Sequence, residues 1–295
     1  MSDSLMTVGC AGAGTLGAAI MRRLLDLGHR VQVWNRSRDK LAPLIEAGAT
    51  AVDTPSDLAR DADFVITCVT DGKAVEATVF GEDGIASAGA PDTLLVDMST
   101  IDAGLTCTLA GRLREQCGMG WLDAPISGGA PAALEGRMAV MVGGSQSDFD
   151  RARPVWDALA GRATLMGPQG AGQSTKLINQ TLCAASFAVM AEACAFAERN
   201  GVDATRIPEA LAGGRADSNL LQEFMVKMAT SDFDKVEGRL AIMLKDLHMV
   251  SDVAKRTGAV MPVTSLVEQL HRQLVAMGLG DADNTEFVTL YRDRA

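Results

Sequence analysis

Three short segments of the sequence bring together residue types that can do chemistry. The first, Gly12-Ala13-Gly14-Thr15-Leu16-Gly17, follows the apolar run Leu5 to Cys10 and opens a helical pattern. In that place Gly12 makes a tight turn, Gly14 lets backbone N–H groups approach a pyrophosphate, and Gly17 lets helix and strand pack closely. Taken alone such a G-x-G-x-x-G also serves as a packing turn in an ordinary α/β domain, but one that opens a βαβ unit favours dinucleotide binding. The strand after it ends in Trp34-Asn35-Arg36-Ser37-Arg38. An acidic residue there would accept from the ribose 2′-OH of NAD and repel the 2′-phosphate of NADP. Neutral Asn35, followed by Arg36, Ser37 and Arg38, offers that phosphate cationic and hydroxyl donors instead. NADP is therefore the expected cofactor and NAD the less favoured one. The bland alternative makes Arg36 and Arg38 solvated charges near a helix start.

The second segment is Asp123-Ala-Pro-Ile-Ser127-Gly128-Gly129, an expected strand running out into a Ser-Gly-Gly turn. Consecutive glycines let backbone N–H groups converge on an anion and the Ser127 hydroxyl adds a donor, which together make a cradle for a carboxylate. A plain strand-ending turn is the competing reading of the motif in isolation. The third segment, Gly170-Ala-Gly172-Gln-Ser-Thr-Lys176-Leu-Ile-Asn179-Gln180, starts a long helix. The helix dipole and desolvation both disfavour an ammonium group in the first turns, which suits Lys176 to proton transfer. Asn179 and Gln180, at i+3 and i+4, lie on the same face and can orient the amine or a substrate.

Other chemistries drop out on residue type. The only tyrosine, Tyr291, has Ala295 four places on, so the Tyr-x-x-x-Lys pair of short-chain dehydrogenases is absent, and no G-x-S-x-G elbow occurs. His29, His248 and His271 have no H-x-x-x-H or H-x-x-C spacing, which leaves no expected metal site. The six cysteines form no C-x-x-C pair and read as buried free thiols of a reducing cytosol.

The elements that must position these segments follow from the pattern. Strands are expected at Leu5–Cys10, Arg30–Trp34, Asp63–Val69, Thr93–Met98, Gly120–Asp123 and Met138–Val142, parallel and joined by right-handed crossovers. Helices are expected at Thr15–Leu27 and Arg38–Ala47, ended by Gly28 and Gly48. After Gly167 no strand is expected, so the chain divides into residues 1–167, an α/β dinucleotide-binding domain, and residues 168–295, an all-helical substrate and oligomerisation domain. Between Gly172 and Gly201 neither Gly nor Pro occurs, which permits one long helix, apolar or small on nearly every face at its centre. Its apolar stretch, ended by Glu192, reads as too short to span a bilayer. Further helices are expected at Ala204–Leu211, Asn219–Ala229, Val236–Arg256 and Val263–Met277.

Length and charge set the outer bounds. A chain of 295 residues suits about two domains. A net charge of −10 argues against a nucleic-acid partner. Met1 to Leu5 show no basic region leading into an apolar stretch, so a cytoplasmic location is expected with no membrane partner.

With these motifs in this order the sequence resembles the β-hydroxyacid dehydrogenase family, the group that includes 3-hydroxyisobutyrate dehydrogenase and tartronate semialdehyde reductase. The resemblance runs over essentially the whole chain. It is carried by Gly12 to Gly17, Val69-Thr70-Asp71, Asp97-Met-Ser99-Thr100, Asp123 to Gly129 with Gly136 to Gly144, Gly172 to Asn179, and Lys245-Asp246-Leu247. It implies a Rossmann-type doubly wound sheet, a long interdomain helix and an all-α C-terminal domain like that of 6-phosphogluconate dehydrogenase. It further implies a catalytic acid/base at Lys176, a substrate carboxylate held by Ser127, Gly128 and Gly129, and cofactor contacts from Val69, Thr70, Thr100 and Lys245. Taken alone, Lys245 reads as a helix-surface charge beside Asp246. The family usually has Asn where this chain has Gln180; the extra methylene would push the amide deeper or fold it back. Leu16 and Ile20 stand where the family often has Met, at nearly equal volume.

The implied activity is hydride transfer between NADP(H) and a small 3-hydroxy acid or the corresponding semialdehyde or keto acid, by a homodimer or homotetramer. One alternative is an NADPH-dependent imine reductase, a group that looks like this family but commonly lacks the lysine. Another is a non-catalytic NADP-binding scaffold or sensor. Arg215, in Gly213-Gly214-Arg215, reads as a reader of a second anionic group or, more simply, as a solvated loop residue.

Overall fold

In a computed structural model, residues 5–292 are described. They fall into two compact units, one ending at Lys176 and the other beginning at Leu177.

The first unit is built on nine strands: β1 (Thr7–Ala11), β2 (Arg30–Trp34), β3 (Thr50–Ala51), β4 (Phe64–Thr67), β5 (Leu94–Asp97), β6 (Gly120–Asp123), β7 (Ile126–Ser127), β8 (Met138–Gly143) and β9 (Ala160–Gly167). Their order across the sheet is β3-β2-β1-β4-β5-β6-β8-β7, with β9 paired to β8. From β3 to β6 every pairing is parallel, the doubly wound arrangement in which ligands bind beyond the strands' C-terminal ends. β4 and β5 are buried along their whole length, as strands covered by helices on both faces must be. Successive side chains alternate between two cores: Phe64, Ile66, Leu94 and Val96 join one, Val65 and Leu95 the other.

The all-parallel expectation is corrected at one end of the sheet, where β8 runs antiparallel to both β6 and β7. The link from β7 to β8, residues 128–137, holds a single short helix, Gly129–Glu135, and falls short of the dozen or so residues that a parallel crossover needs. β3, β7 and β9 were not expected; the first two are only two residues long. In β9 buried residues are absent and alternation is weak, so the usual strand signal is faint. The expectation that all six cysteines are buried is also corrected: Cys107 is exposed, and only Cys10 and Cys194 are fully buried, all six thiols being free.

In the second unit the described residues form helices and turns, with one isolated bridge between Arg239 and Asp283. Asn219–Thr230, Leu240–Thr257 and Pro262–Leu274 surround a core that includes Phe187, Met225, Leu247 and Phe287. The long helix, Ala171–Arg199, has 29 residues, those up to Lys176 in the first unit and the rest in the second. Its best 18-residue window has a mean hydropathy of 1.4, enough to cross a membrane by length and composition, so the apolar stretch is longer than it read in the sequence; half of that window is buried inside the protein, as in a core helix.

Candidate active site

The glycine turn joins β1 to the helix Thr15–Asp26. Gly12 has φ +101°, and a Cβ there would lie 2.2 Å from the Cys68 carbonyl oxygen; one on Gly17 would lie 1.9 Å from the Gly12 oxygen. A Cβ on Gly14 would meet nothing within 4 Å, so this side of the turn is open while the other two glycines are packed against backbone. The open side faces the first turn of a helix, whose N–H groups have no intrahelical partner and favour an anion. Asn35, just beyond β2, braces the turn: its Oδ1 accepts from the Ala13 N–H at 2.9 Å and its Nδ2 donates to the Ser37 carbonyl at 2.8 Å. Arg36 is exposed and Arg38 pairs with Asp53 at 2.8 Å in solvent, where such a pair is worth little. These residues fit a dinucleotide: a cradle kept free of side chains, a helix N-terminus behind it, and no carboxylate at the ribose position.

Beyond β4 and β5 the next residues are tied by a polar chain. Thr67 Oγ1 and the Ser99 N–H both donate to Asp97 Oδ1, at 2.8 and 3.1 Å, and Ser99 Oγ accepts from the Val69 N–H at 3.0 Å. This fixes the backbone at Val69 and Thr70 and, from the other side, at Thr100. Asp97 is fully buried, which pushes its carboxyl up to about 6 against the lowering effect of the Ser99 and Thr67 hydrogen bonds.

Asp123 ends β6, directly opposite Asp97 in the sheet register. Its Oδ1 accepts from the Gly170 N–H at 2.8 Å and from Gln169 Nε2 at 2.9 Å, and its Oδ2 from the Gln173 N–H at 2.9 Å. Burial raises its carboxyl pKa and these backbone N–H groups oppose the shift. Four residues further along, Ser127 begins the turn through Gly128 and Gly129 into the helix Gly129–Glu135, with φ +112° at Gly128 and +64° at Gly129. Ser127 is half-buried and paired with Ala139 of β8. Lys176, in the second turn of the long helix, is only 9% exposed.

In the second unit, Gln180 is turned toward the helix Leu240–Thr257, where its Nε2 donates to Asp246 Oδ2 at 2.6 Å. Asn179 Nδ2 donates to Gln180 Oε1 at 2.9 Å. Lys245 Nζ lies 3.3 Å from Asp246 Oδ1. The extra methylene of Gln180 thus spans to a buried carboxylate on a neighbouring helix. Arg215 is exposed in a loop whose Gly213 N–H is held by Asp217 at 2.7 Å.

Sequence reasoning quoted Asp97, Ser99, Asp123 and Gln173 inside motifs but gave them no role. Only their partners, brought from other strands and helices, reveal what they hold. A carboxylate at a strand end, followed far along the chain by a helix whose N-cap position is glycine, is the signal that was available.

A mostly parallel sheet with an open glycine turn at the end of its first strand, followed by an all-helical unit, fits the nicotinamide-dependent dehydrogenases. Residues 7–167 match the family described as the NAD binding domain of 6-phosphogluconate dehydrogenase, and residues 170–291 the family described as NAD-binding of NADP-dependent 3-hydroxyisobutyrate dehydrogenase. The chain is 32% identical over 287 residues to 2-hydroxy-3-oxopropionate reductase of Escherichia coli, covering 96% of each protein. It is 30% identical to L-threonate dehydrogenase of Cupriavidus necator, covering 96% of this chain and 95% of that one. The structure of 3-hydroxyisobutyrate dehydrogenase from Mycobacterium tuberculosis, described with L-serine, superposes with a TM-score of 0.87 at 28% identity, covering 98% of this chain and all of that one. The chain belongs to the β-hydroxyacid dehydrogenase family and is an NAD(P)-dependent hydroxyacid dehydrogenase.

Proposed function

We propose that the protein interconverts a small 3-hydroxy acid and its semialdehyde or keto acid, with NADP(H) as cofactor and Lys176 as the acid/base. The observation that carries this reading is a lysine 9% exposed near the start of a helix whose first turn is held by the strand leading into Ser127-Gly128-Gly129. A bound nicotinamide would supply the hydride acceptor or donor at its C4 atom. In oxidation Lys176, as the neutral amine, takes the hydroxyl proton while the carbinol C–H bond breaks and a carbonyl forms; in reduction the ammonium returns the proton to the carbonyl oxygen. Ser127 Oγ and the N–H groups of Gly128 and Gly129 hold the substrate carboxylate, so binding energy is used for orientation and no metal is needed.

Asn35 supports NADP over NAD, because a neutral amide stands just beyond β2 where an acidic residue would repel the 2′-phosphate. Asn35→Asp keeps the acceptor for the Ala13 N–H and adds a negative charge. It is expected to raise the NADPH KM by about tenfold or more while affecting NADH less, about 1.4 kcal/mol of discrimination. The reaction itself is tested by following reduced-nicotinamide absorbance with glyoxylate, tartronate semialdehyde, succinic semialdehyde and 3-hydroxyisobutyrate. Turnover of one of the carbonyl compounds with NADPH, or of 3-hydroxyisobutyrate with NADP+, supports the reading, and cofactor binding without turnover on any of them contradicts it.

The same reading makes the protein a cytoplasmic homodimer or homotetramer. Ile178, Leu182, Val189 and Phe196 are each more than 60% exposed, and the last three recur every seven residues along the long helix, an apolar stripe suited to a second copy. Light scattering on the purified protein decides it, a monomer contradicting this part of the reading.

A further inference from the structure

We infer that Asp123 is a positioning residue for Lys176, fastening the start of the lysine-bearing helix to the strand that leads into the Ser127-Gly128-Gly129 cradle. The inference rests on the acid/base reading of Lys176 given above.

A helix is ordinarily capped by its own preceding residue, a Ser, Thr, Asp or Asn whose side chain accepts from the first-turn N–H groups. Here the residue before Ala171 is Gly170, with φ +87°, which has no side chain to offer. The capping carboxylate comes instead from Asp123, 47 residues earlier, and it takes the N–H groups of both Gly170 and Gln173. Two further glycines make room for it. A Cβ on Gly143 would lie 2.6 Å from Asp123 Oδ1, and one on Gly172 would lie 2.8 Å from Oδ2. Any side chain at either position would push the helix start off the carboxylate.

Gln173 adds a second tie. It is fully buried, its Nε2 donates to the Ser99 carbonyl at 2.8 Å, and its Oε1 accepts from the Ile101 N–H at 3.1 Å, on either side of Thr100. The helix start is thus held both by the strand of the substrate cradle and by the segment flanking a cofactor-contacting residue. Lys176 follows Gln173 by less than one turn and inherits that placement. Since a displacement of about 1 Å in a reacting group can cost about 10²-fold in rate, the clamp acts on turnover as well as on folding. The Asp123 charge also raises the pKa values of Asp97 and Cys107.

The test is Asp123→Asn beside Lys176→Ala, assayed with NADPH and the best substrate of the panel above, with NADPH affinity and Tm measured separately. Asparagine accepts on one side only, so it cannot hold both the Gly170 and the Gln173 N–H groups. The expected result is a kcat lower by about 10- to 100-fold with NADPH affinity within about threefold of wild type. Because a negative charge favours the ammonium form, its removal is expected to move the lysine-linked midpoint of the kcat/KM pH profile down by about half a unit to one unit. An unchanged kcat and midpoint, with only Tm lowered and Lys176→Ala inactive, makes Asp123 a structural cap and overturns the inference while leaving the acid/base reading intact. Near-normal turnover by Lys176→Ala removes that reading, and the inference with it. If Asp123→Asn does not fold, Gln169→Met at a half-buried position removes one donor to the same carboxylate. A kcat reduced by about threefold then supports the inference, and a wild-type kcat and pH profile overturns it.

Discussion

Asp97 and Asp123 stand opposite each other at the ends of neighbouring strands, both fully buried and both with carboxyls shifted upward by burial. Their hydrogen bonding differs. At Asp97 both donors converge on Oδ1, and Oδ2 is buried without a hydrogen-bond partner; at Asp123 both oxygens accept. A buried carboxylate with one oxygen engaged holds a local loop and tolerates being neutral, whereas one with both engaged joins two elements and cannot be imitated by an amide. Burial alone does not tell the two apart; the number of oxygens with donors does.

Substitution by asparagine separates them most strongly. Asp123→Asn sets an NH₂ group against backbone N–H donors and is expected to destabilise the fold by about 1–3 kcal/mol, read from denaturant unfolding at neutral pH. Asp97→Asn keeps the acceptor for Thr67 and Ser99 and removes a charge, so near pH 8 it is expected to stabilise by roughly 1–3 kcal/mol. Equal losses in both variants would break the comparison.

The pH dependence sharpens it. With a folded pKa of about 6 against an ordinary 3.8, Asp97 binds its proton more tightly in the native state. Its contribution is fully present below about pH 4 and is lost as pH rises through about 6. The stability difference between wild type and Asp97→Asn should therefore be small near pH 4 and grow through that window, in favour of the variant.

The smallest expected effect lies in the helical unit, which offers the opposite sign. His271 is fully buried, its Nδ1 is 2.9 Å from the Val267 carbonyl oxygen, its Nε2 has no hydrogen-bond partner, and burial lowers its pKa below 6.5. Its native state is neutral, so its contribution is present above pH 6.5 and lost as pH falls through the folded value. His271→Leu should show a shallower loss of stability on acidification below pH 6.5 than wild type, and an identical slope would remove His271 as a cause of acid unfolding.

How much of this was legible in the sequence depends on how far apart the partners are. The glycine turn and the long helix are set by local spacing and turn chemistry, and the structure places them where the pattern put them; the bracing of that turn by Asn35, a contact 22 residues away, was not read. The antiparallel β8 was missed because strand direction depends on the length of the preceding connection. The role of Asp123 depends on donors 47 and 50 residues away, and the engagement of Gln180 on Asp246 spans 66. No periodicity in a single sequence encodes contacts of that range.

Under the proposed function, Lys176 moves the proton in an NADP(H)-linked hydride transfer. The most direct measurement compares wild type with Lys176→Ala under saturating NADPH and the best substrate of the aldehyde and keto acid panel, with cofactor affinity measured alongside. The expected result is a loss of about 10²- to 10⁴-fold in kcat with NADPH affinity little changed. Near-normal turnover by the variant would contradict it.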